Sequence, residues 1–240
     1  MTNLKKEAAS QALSLVQSGM TLGLGTGSTT AYFIDLLGEQ INSGTLKDIL
    51  AVPTSEWTAN RARSLGIPLT SLSWLSEHRV ATPLLDMAVD GADEVDPQLN
   101  LIKGLGRALL REKVVEVNTD KFVVIVDESK LVPCLGGKVA LPIEVLPFEA
   151  RAHVHWLNTL GCQAELWCEE DGSPVVTDNG NNLALCRFKD GIANPVELAR
   201  ALSDRPGILE HGLFLGMTKL VIVAGEHGIR FMQSETKIET

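Results

Sequence analysis

Three short stretches concentrate residue types that could handle an anion, a hydroxylated ligand and a proton. The first is Gly25-Thr26-Gly27-Ser28-Thr29-Thr30, set between an apolar run and an amphipathic one. Glycines let the backbone turn tightly and approach an anion closely. A helix opening there would present free N–H groups and the positive end of its dipole, with Ser28 and Thr29 adding hydroxyl donors. The stretch lacks the lysine of a P-loop and the full GxGxxG spacing, so a plain Ser/Thr-capped turn is the competing reading. The second stretch, Asp90-Gly91-Ala92-Asp93-Glu94-Val95-Asp96, places four acids in seven residues. Carboxylates could bind a cation or accept hydrogen bonds from sugar hydroxyls, and a solvated acidic loop is the alternative. The glycine position and terminal Glu of a calcium loop are absent.

The third stretch is Lys103-Gly104-Leu105-Gly106-Arg107-Ala108-Leu109-Leu110-Arg111-Glu112-Lys113. Gly104 and Gly106 make a second close-approach turn that runs into a helix. Lys103 could hold a developing oxyanion. Glu112, nearly two turns into the helix, could move a proton; alone it would read as a surface charge paired with its neighbours Arg111 and Lys113. Lys130 follows a strand-like run and Lys5 lies near the N-terminus; both are candidate charge partners for an anion, Lys5 the weaker.

These groups need a scaffold, and the sequence outlines one. Residues 3–18 read as a helix with Ala8, Ala9, Ala12, Leu13, Leu15 and Val16 on its apolar face and Gly19 as its C-cap. An apolar strand at 20–25, the glycine turn and a helix carrying Tyr32, Phe33, Leu36 and Leu37 follow. Strand 46–53, helix 56–65, an apolar strand opening 87–96, helix 106–117 and the β-branched strand in 121–130 continue the alternation. Such alternation predicts a parallel sheet covered on both faces, which binds ligands beyond the carboxyl ends of its strands. All three stretches are expected at that edge. After Leu131 the texture becomes α+β: Pro-interrupted 139–147, a helix at 148–160, strands CQAELWCEE and LALCRF around DNGNN, a helix near 195–203 and strand-like ILEHGLFL. KLVIVAG (219–225) is expected to return to the main sheet.

Bulk properties narrow the classes. The chain has 240 residues, about 45% of them apolar, which allows one large domain with a smaller addition. A net charge of -9 argues against non-specific nucleic-acid binding while leaving room for a local cationic pocket. The start MTNLKKEAASQAL lacks the apolar core of a signal peptide and no run is long enough to span a bilayer, so a cytoplasmic protein is expected, with no nucleic-acid or membrane partner. Cys134, Cys162, Cys168 and Cys186 form no CxxC pair and are expected to stay reduced. His78, His153, His155, His211 and His227 form no HExxH pattern, so no metal site is expected.

An anion cradle, paired carboxylates, a cation and a separate Glu are what an aldose–ketose isomerisation needs: an anchor for phosphate, a base to carry a proton between adjacent carbons, and a positive group for the enediolate oxygen. The stretches GTGSTTAYFIDLLG, VDGADEVD, KGLGRALLREK, VDESK, LPIEVLP and VVTDNGN, in this order, closely resemble ribose-5-phosphate isomerases of the A type, with weaker similarity over nearly the whole chain. The resemblance implies interconversion of ribose 5-phosphate and ribulose 5-phosphate without metal or organic cofactor, by a homodimer or homotetramer. It implies a Rossmann-like domain (1–130 plus about 206–240) and a smaller ferredoxin-like α+β domain (about 131–205). It also implies Glu112 as proton acceptor, and substrate contacts at Thr26, Gly27, Ser28 and Thr29, at Asp90, Gly91, Ala92 and Asp93, at Lys103, Gly104, Leu105 and Gly106, and at Lys130. Asp90 is the candidate for ring opening and Lys103 for enediolate stabilisation.

Leu105 departs from a third glycine common in that family, which matters only if the position needs positive φ. Leu110 replaces a common threonine. Two other classes stand beside the isomerase. A non-catalytic sugar-phosphate sensor is disfavoured by the acidic chain without a DNA-binding domain. An acyl or CoA transferase would use the Glu as nucleophile.

Overall fold

The computed structural model describes residues 3–79 and 82–233. The chain folds as two compact units, one comprising Met1–Gly91, Val114–Ser129 and Gly216–Thr240, the other Ala92–Lys113 and Lys130–Leu215. This division differs from the expected boundaries, because 92–113 and 206–215 belong to the second unit.

The first unit is built on a six-stranded sheet in the order Leu50–Pro53, Thr21–Leu24, Leu85–Asp90, Thr119–Asp127, Leu220–Gly225, Gly228–Gln233. Five strands are parallel and the last is an antiparallel edge hairpin, so KLVIVAG does return to the main sheet. The run Phe122–Val126 is buried throughout, as a strand covered on both faces requires. Helix Leu4–Leu13 buries Ala8, Ala9 and Ala12 and is capped by the Asn3 side chain. Helix Ser28–Asn42 buries Phe33, Ile34 and Leu37 into the same core. The first helix is shorter than expected: it closes at Ser14, and Leu15 and Val16 bond back to Ala12 and Leu13 in a turn. Gly19, at φ +85°, is not the helix cap; it donates to the Lys47 carbonyl on entry to the first strand.

Strand Thr21–Leu24 pairs in parallel with Leu50–Pro53 on one side and Leu85–Asp90 on the other. The chain therefore leaves this strand in one direction and later returns on its other side. That makes a topological switch point whose carboxyl ends are Leu24 and Asp90, where open α/β sheets bind ligands.

In the second unit, strands Leu141–Val145, Gln163–Leu166, Asn182–Arg187 and Ile208–His211 form an antiparallel sheet in spatial order fourth, first, third, second. Helices Ala150–Leu157 and Pro195–Ser203 complete a βαββαβ chain of ferredoxin-like type. Ile143, Val145, Leu157, Ala184 and Leu202 lie in its core. A small antiparallel sheet joins Glu94–Val95, Leu101–Ile102 and Leu213–Phe214. Lys103 thus leaves a short antiparallel strand and not, as expected, an edge of the parallel sheet.

His211 ends its strand buried. Its Nδ1 accepts from the Leu213 N–H at 3.3 Å, and Lys113 Nζ stands 3.3 Å from the same nitrogen. Burial first, and the Lys113 charge second, lower its pKa to about 4 against the nearby Glu210 carboxylate. The unfolded chain takes up this proton near pH 6.5 and the folded chain resists until about pH 4. The contribution is thus present above pH 6.5 and lost as pH falls through that window, by up to on the order of 3 kcal/mol. We expect His211→Asn to flatten the fall in urea-unfolding free energy between pH 6.5 and 4.5. Identical slopes in the two proteins would contradict this.

Candidate active site

In the first unit the glycine turn follows strand Thr21–Leu24 directly. Gly25 donates to the Val89 carbonyl at 3.0 Å, and a Cβ at Gly25 would overlap the Asp90 carboxyl group. Only glycine lets the two strand ends approach this closely. Asp90 is 1% exposed. Its Oδ1 accepts from the Thr26 N–H at 3.1 Å, the Thr30 hydroxyl at 3.2 Å and the Gly91 N–H at 2.7 Å. One carboxylate oxygen therefore ties the start of the turn to the first helical turn. The Thr26 hydroxyl lies within 2.8 to 3.1 Å of those of Thr54, Ser55 and Thr58, and Thr58 donates to the Gly25 carbonyl at 2.8 Å. Thr54, Ser55 and Thr58 carried no chemical signal in the sequence, since isolated hydroxyls read as turn and cap residues.

Gly27 precedes the helix at φ +141°, a conformation that L side chains rarely adopt. Helix Ser28–Asn42 then opens with Ser28 exposed and Thr29 partly exposed. Lys5 Nζ donates to the Ser28 hydroxyl at 2.8 Å, so the weaker of the two candidate cations is the one found at this helix start. Free N–H groups of a first helical turn, a hydroxyl and an ammonium together suit a phosphate.

The second unit carries the other candidates. Asp93 Oδ2 accepts the Leu105 N–H at 3.0 Å. Leu105 lies outside the positive-φ region, so the departure from glycine brings no backbone strain there. Gly104 has φ +112°, and a Cβ on it would come within 2.7 Å of Leu109 Cδ2. The exposed Gly106 lies inside the turn that Arg107 closes by donating to the Gly104 carbonyl at 2.9 Å. Arg107 sits at φ +66°, a left-handed conformation that cannot continue into a helix, so the helix begins at Leu109 and not at 106. Leu110 packs in the apolar cluster of Leu109, Val175, Leu183 and Trp167, which gives this position a packing role in place of a hydroxyl contact.

Lys103 Nζ lies 3.4 Å from Glu112 Oε2, and both side chains are 3% exposed. Lys103 Nζ also stands 5.4 Å from the centroid of the Phe214 ring, a cation–π distance. The backbone N–H of Lys103 donates to the Gly212 carbonyl at 2.9 Å, which fixes the root of the side chain. Residues flanking Glu112 are tied down as well. Lys113 Nζ donates to Glu210 Oε1 and to the His211 carbonyl, each at 2.6 Å, over the Phe214 ring. Arg111 Nε donates to Asn179 Oδ1 at 2.8 Å.

The remaining acids of the second stretch are internal supports and not a solvated loop. Glu94 is fully buried and accepts the N–H groups of Gly136, Lys138 and Val139 at 2.5 to 2.8 Å. Asp96 closes its own turn through the N–H groups of Gln98 and Asn100. Ala92 begins the second unit after Gly91. Lys130 ends the 3₁₀ turn Glu128–Lys130, partly exposed.

The family model for ribose 5-phosphate isomerase A (phosphoriboisomerase A) matches residues 50–228. A ribose-5-phosphate isomerase A of Roseiflexus castenholzii is 47% identical over 94% of this chain and 93% of its own. A probable ribose-5-phosphate isomerase 3, chloroplastic, of Arabidopsis thaliana is 46% identical over 96% of this chain and 83% of its own. Among solved structures, a D-ribose-5-phosphate isomerase in complex with phospho-erythronic acid superposes with a TM-score of 0.90 at 43% identity, covering 96% of this chain and 97% of that one. The ribose 5-phosphate isomerase of Plasmodium falciparum gives 0.90 at 36% identity, covering 97% and 98%. With the family model matching residues 50–228 and relatives 46–47% identical over 94–96% of the chain, the chain belongs to the ribose 5-phosphate isomerase A family.

Proposed function

We propose that the chain carries out the family reaction, interconversion of D-ribose 5-phosphate and D-ribulose 5-phosphate, through an enediolate, with Glu112 carrying the proton between C1 and C2. The observation behind this reading is the buried Lys103–Glu112 pair. Withdrawing two charges from water costs several kcal/mol per ion, and attraction between them rarely returns all of it. A stability role alone is therefore a poor reason for such a pair, whereas an isomerase needs both members: a carboxylate to take a proton from C2 of the aldose and deliver it to C1, and a cation to meet the negative charge that develops on oxygen. The Asp93 carboxylate, tied through Oδ2 to the Leu105 N–H of the same turn, supports the placing of substrate hydroxyls there.

Phosphate is assigned to the start of helix Ser28–Asn42, with the backbone of Gly27, the Ser28 and Thr29 hydroxyls and Lys5 as its partners. Lys130 keeps its role as a further substrate contact. Asp90 receives a revised role. With three donors already converging on its Oδ1, it is proposed to brace the phosphate turn, which sets aside the ring-opening assignment. A phosphorylated four-carbon acid bound to a relative supports the scheme, because its carboxylate shares the planar geometry and negative charge of an enediolate.

We expect Glu112→Gln to lower kcat by at least about two orders of magnitude per folded molecule, with KM changed by only a few fold. Near-normal turnover in that variant would remove Glu112 from the base role. We also expect free D-ribose to be a far poorer substrate than ribose 5-phosphate, with Ser28→Ala narrowing the difference by weakening phosphate binding. Equal kcat/KM for the two sugars in the unaltered enzyme would contradict the phosphate assignment.

A further inference from the structure

Two stretches quoted for the family resemblance, LPIEVLP (141–147) and VVTDNGN (175–181), take no part in the chemistry above. They meet inside the second unit. Glu144, on strand Leu141–Val145, is fully buried, and its Oε1 gathers the Thr177 hydroxyl at 2.9 Å, the Asn179 amide at 3.1 Å and the Asn181 amide at 2.7 Å. Its Oε2 is buried with no hydrogen-bond partner among the described residues. A carboxylate buried in this way is an expensive means of holding a turn, since an unpaired buried oxygen carries a full desolvation penalty. Three donors on one oxygen fix the orientation of the turn in a way that a neutral side chain would do less firmly.

That turn ends on the helix of the proposed base. The Asn179 amide that donates to Glu144 presents its Oδ1 to Arg111 Nε at 2.8 Å. Arg111 also donates from Nη2 to the Asp178 carbonyl at 3.0 Å, and its Nη1 lies 3.7 Å from Asp178 Oδ2. Arg111 immediately precedes Glu112. A planar guanidinium held at Nε and both terminal nitrogens leaves its helical turn little freedom to rotate. We propose that Glu144, acting through Asn179 and Arg111, is a positioning residue that sets the direction of the Glu112 carboxylate. This inference rests on Glu112 being the base.

Asn179 is exposed and its removal cuts the relay without opening the core, so Asn179→Ala is the primary test. Arg111→Lys, which keeps the charge and loses the fork, is the second. With ribose 5-phosphate as substrate, each is expected to lower kcat about 10-fold with KM within about 2-fold, the pattern of a displaced group acting in the transition state. The kinetic isotope effect on kcat with substrate deuterated at C2 is expected to rise, because proton transfer becomes more fully rate-limiting; a purely structural role would leave it unchanged. Adding Glu144→Gln to Asn179→Ala is expected to lower kcat by less than the product of the two single effects, as links of one relay do. Unchanged kcat and isotope effect in both folded variants, with Glu112→Gln still inactive, would overturn the relay alone. An active Glu112→Gln would overturn the base assignment and the relay with it.

Discussion

A lysine and a glutamate withdrawn from water, 3.4 Å apart, set the terms for the second unit. Such a pair tolerates little error: removing one partner of a buried pair typically costs about 3–5 kcal/mol, because the other is left unpaired in a poorly solvating interior. The scaffold around it is correspondingly overdetermined. Lys103 is fixed at its backbone by Gly212 and faces the Phe214 ring. Gly104 adopts a φ that other residues avoid, and Arg107 closes the turn in a left-handed conformation, so the helix starts two residues before Arg111. Arg111 and Lys113 then carry the helix to two separate anchors, the 177–181 turn and the Glu210–His211 strand end. Most of the charge near Glu112 thus does mechanical work, and the chemistry proposed for the pair follows from that rigidity.

The first unit applies the same economy to a different ligand group. Its glycine turn lies at the switch point of a parallel sheet, and a single Asp90 oxygen organises it from within. The requirement for glycine at position 25 comes from that carboxylate, which occupies the space a side chain would need. An acid beside a proposed phosphate site looks unfavourable by charge alone. Its placement is intelligible once its oxygen is seen accepting from the N–H and hydroxyl groups that shape the turn.

Periodicity in the sequence outlined the parallel sheet and its covering helices, because long apolar runs and amphipathic helices carry strong signals, whereas after Leu131 it gave only an α+β texture and the ferredoxin-like type came from the resemblance. Helix Pro195–Ser203 has the bounds expected for it near 195–203. The unit boundaries were less legible. Glu94–Val95 and Leu101–Ile102 are two-residue strands, too short for any periodic pattern, and they draw 92–113 into the second unit. Glu112 and Lys103 could be picked out by their place after a glycine turn, but their burial against each other could not. Glu94 read as part of an acidic stretch for ligands or solvent, and Glu144 drew no reading; only the fold reveals the donors that converge on each. Lys5 was similarly undervalued, since its contact with Ser28 joins positions 23 residues apart.

The central claim is that a proton leaves and re-enters carbon through Glu112. Ribulose 5-phosphate enters already open, so its C1 hydrogen can exchange with solvent through the enediolate without any ring-opening step. Deuterium uptake at C1 of ribulose 5-phosphate in heavy water, followed by NMR, therefore measures the proposed step directly. We expect the unaltered enzyme to exchange this hydrogen and Glu112→Gln to lose the exchange by at least about 100-fold, in step with its loss of turnover. Undiminished exchange in the Gln variant would contradict it.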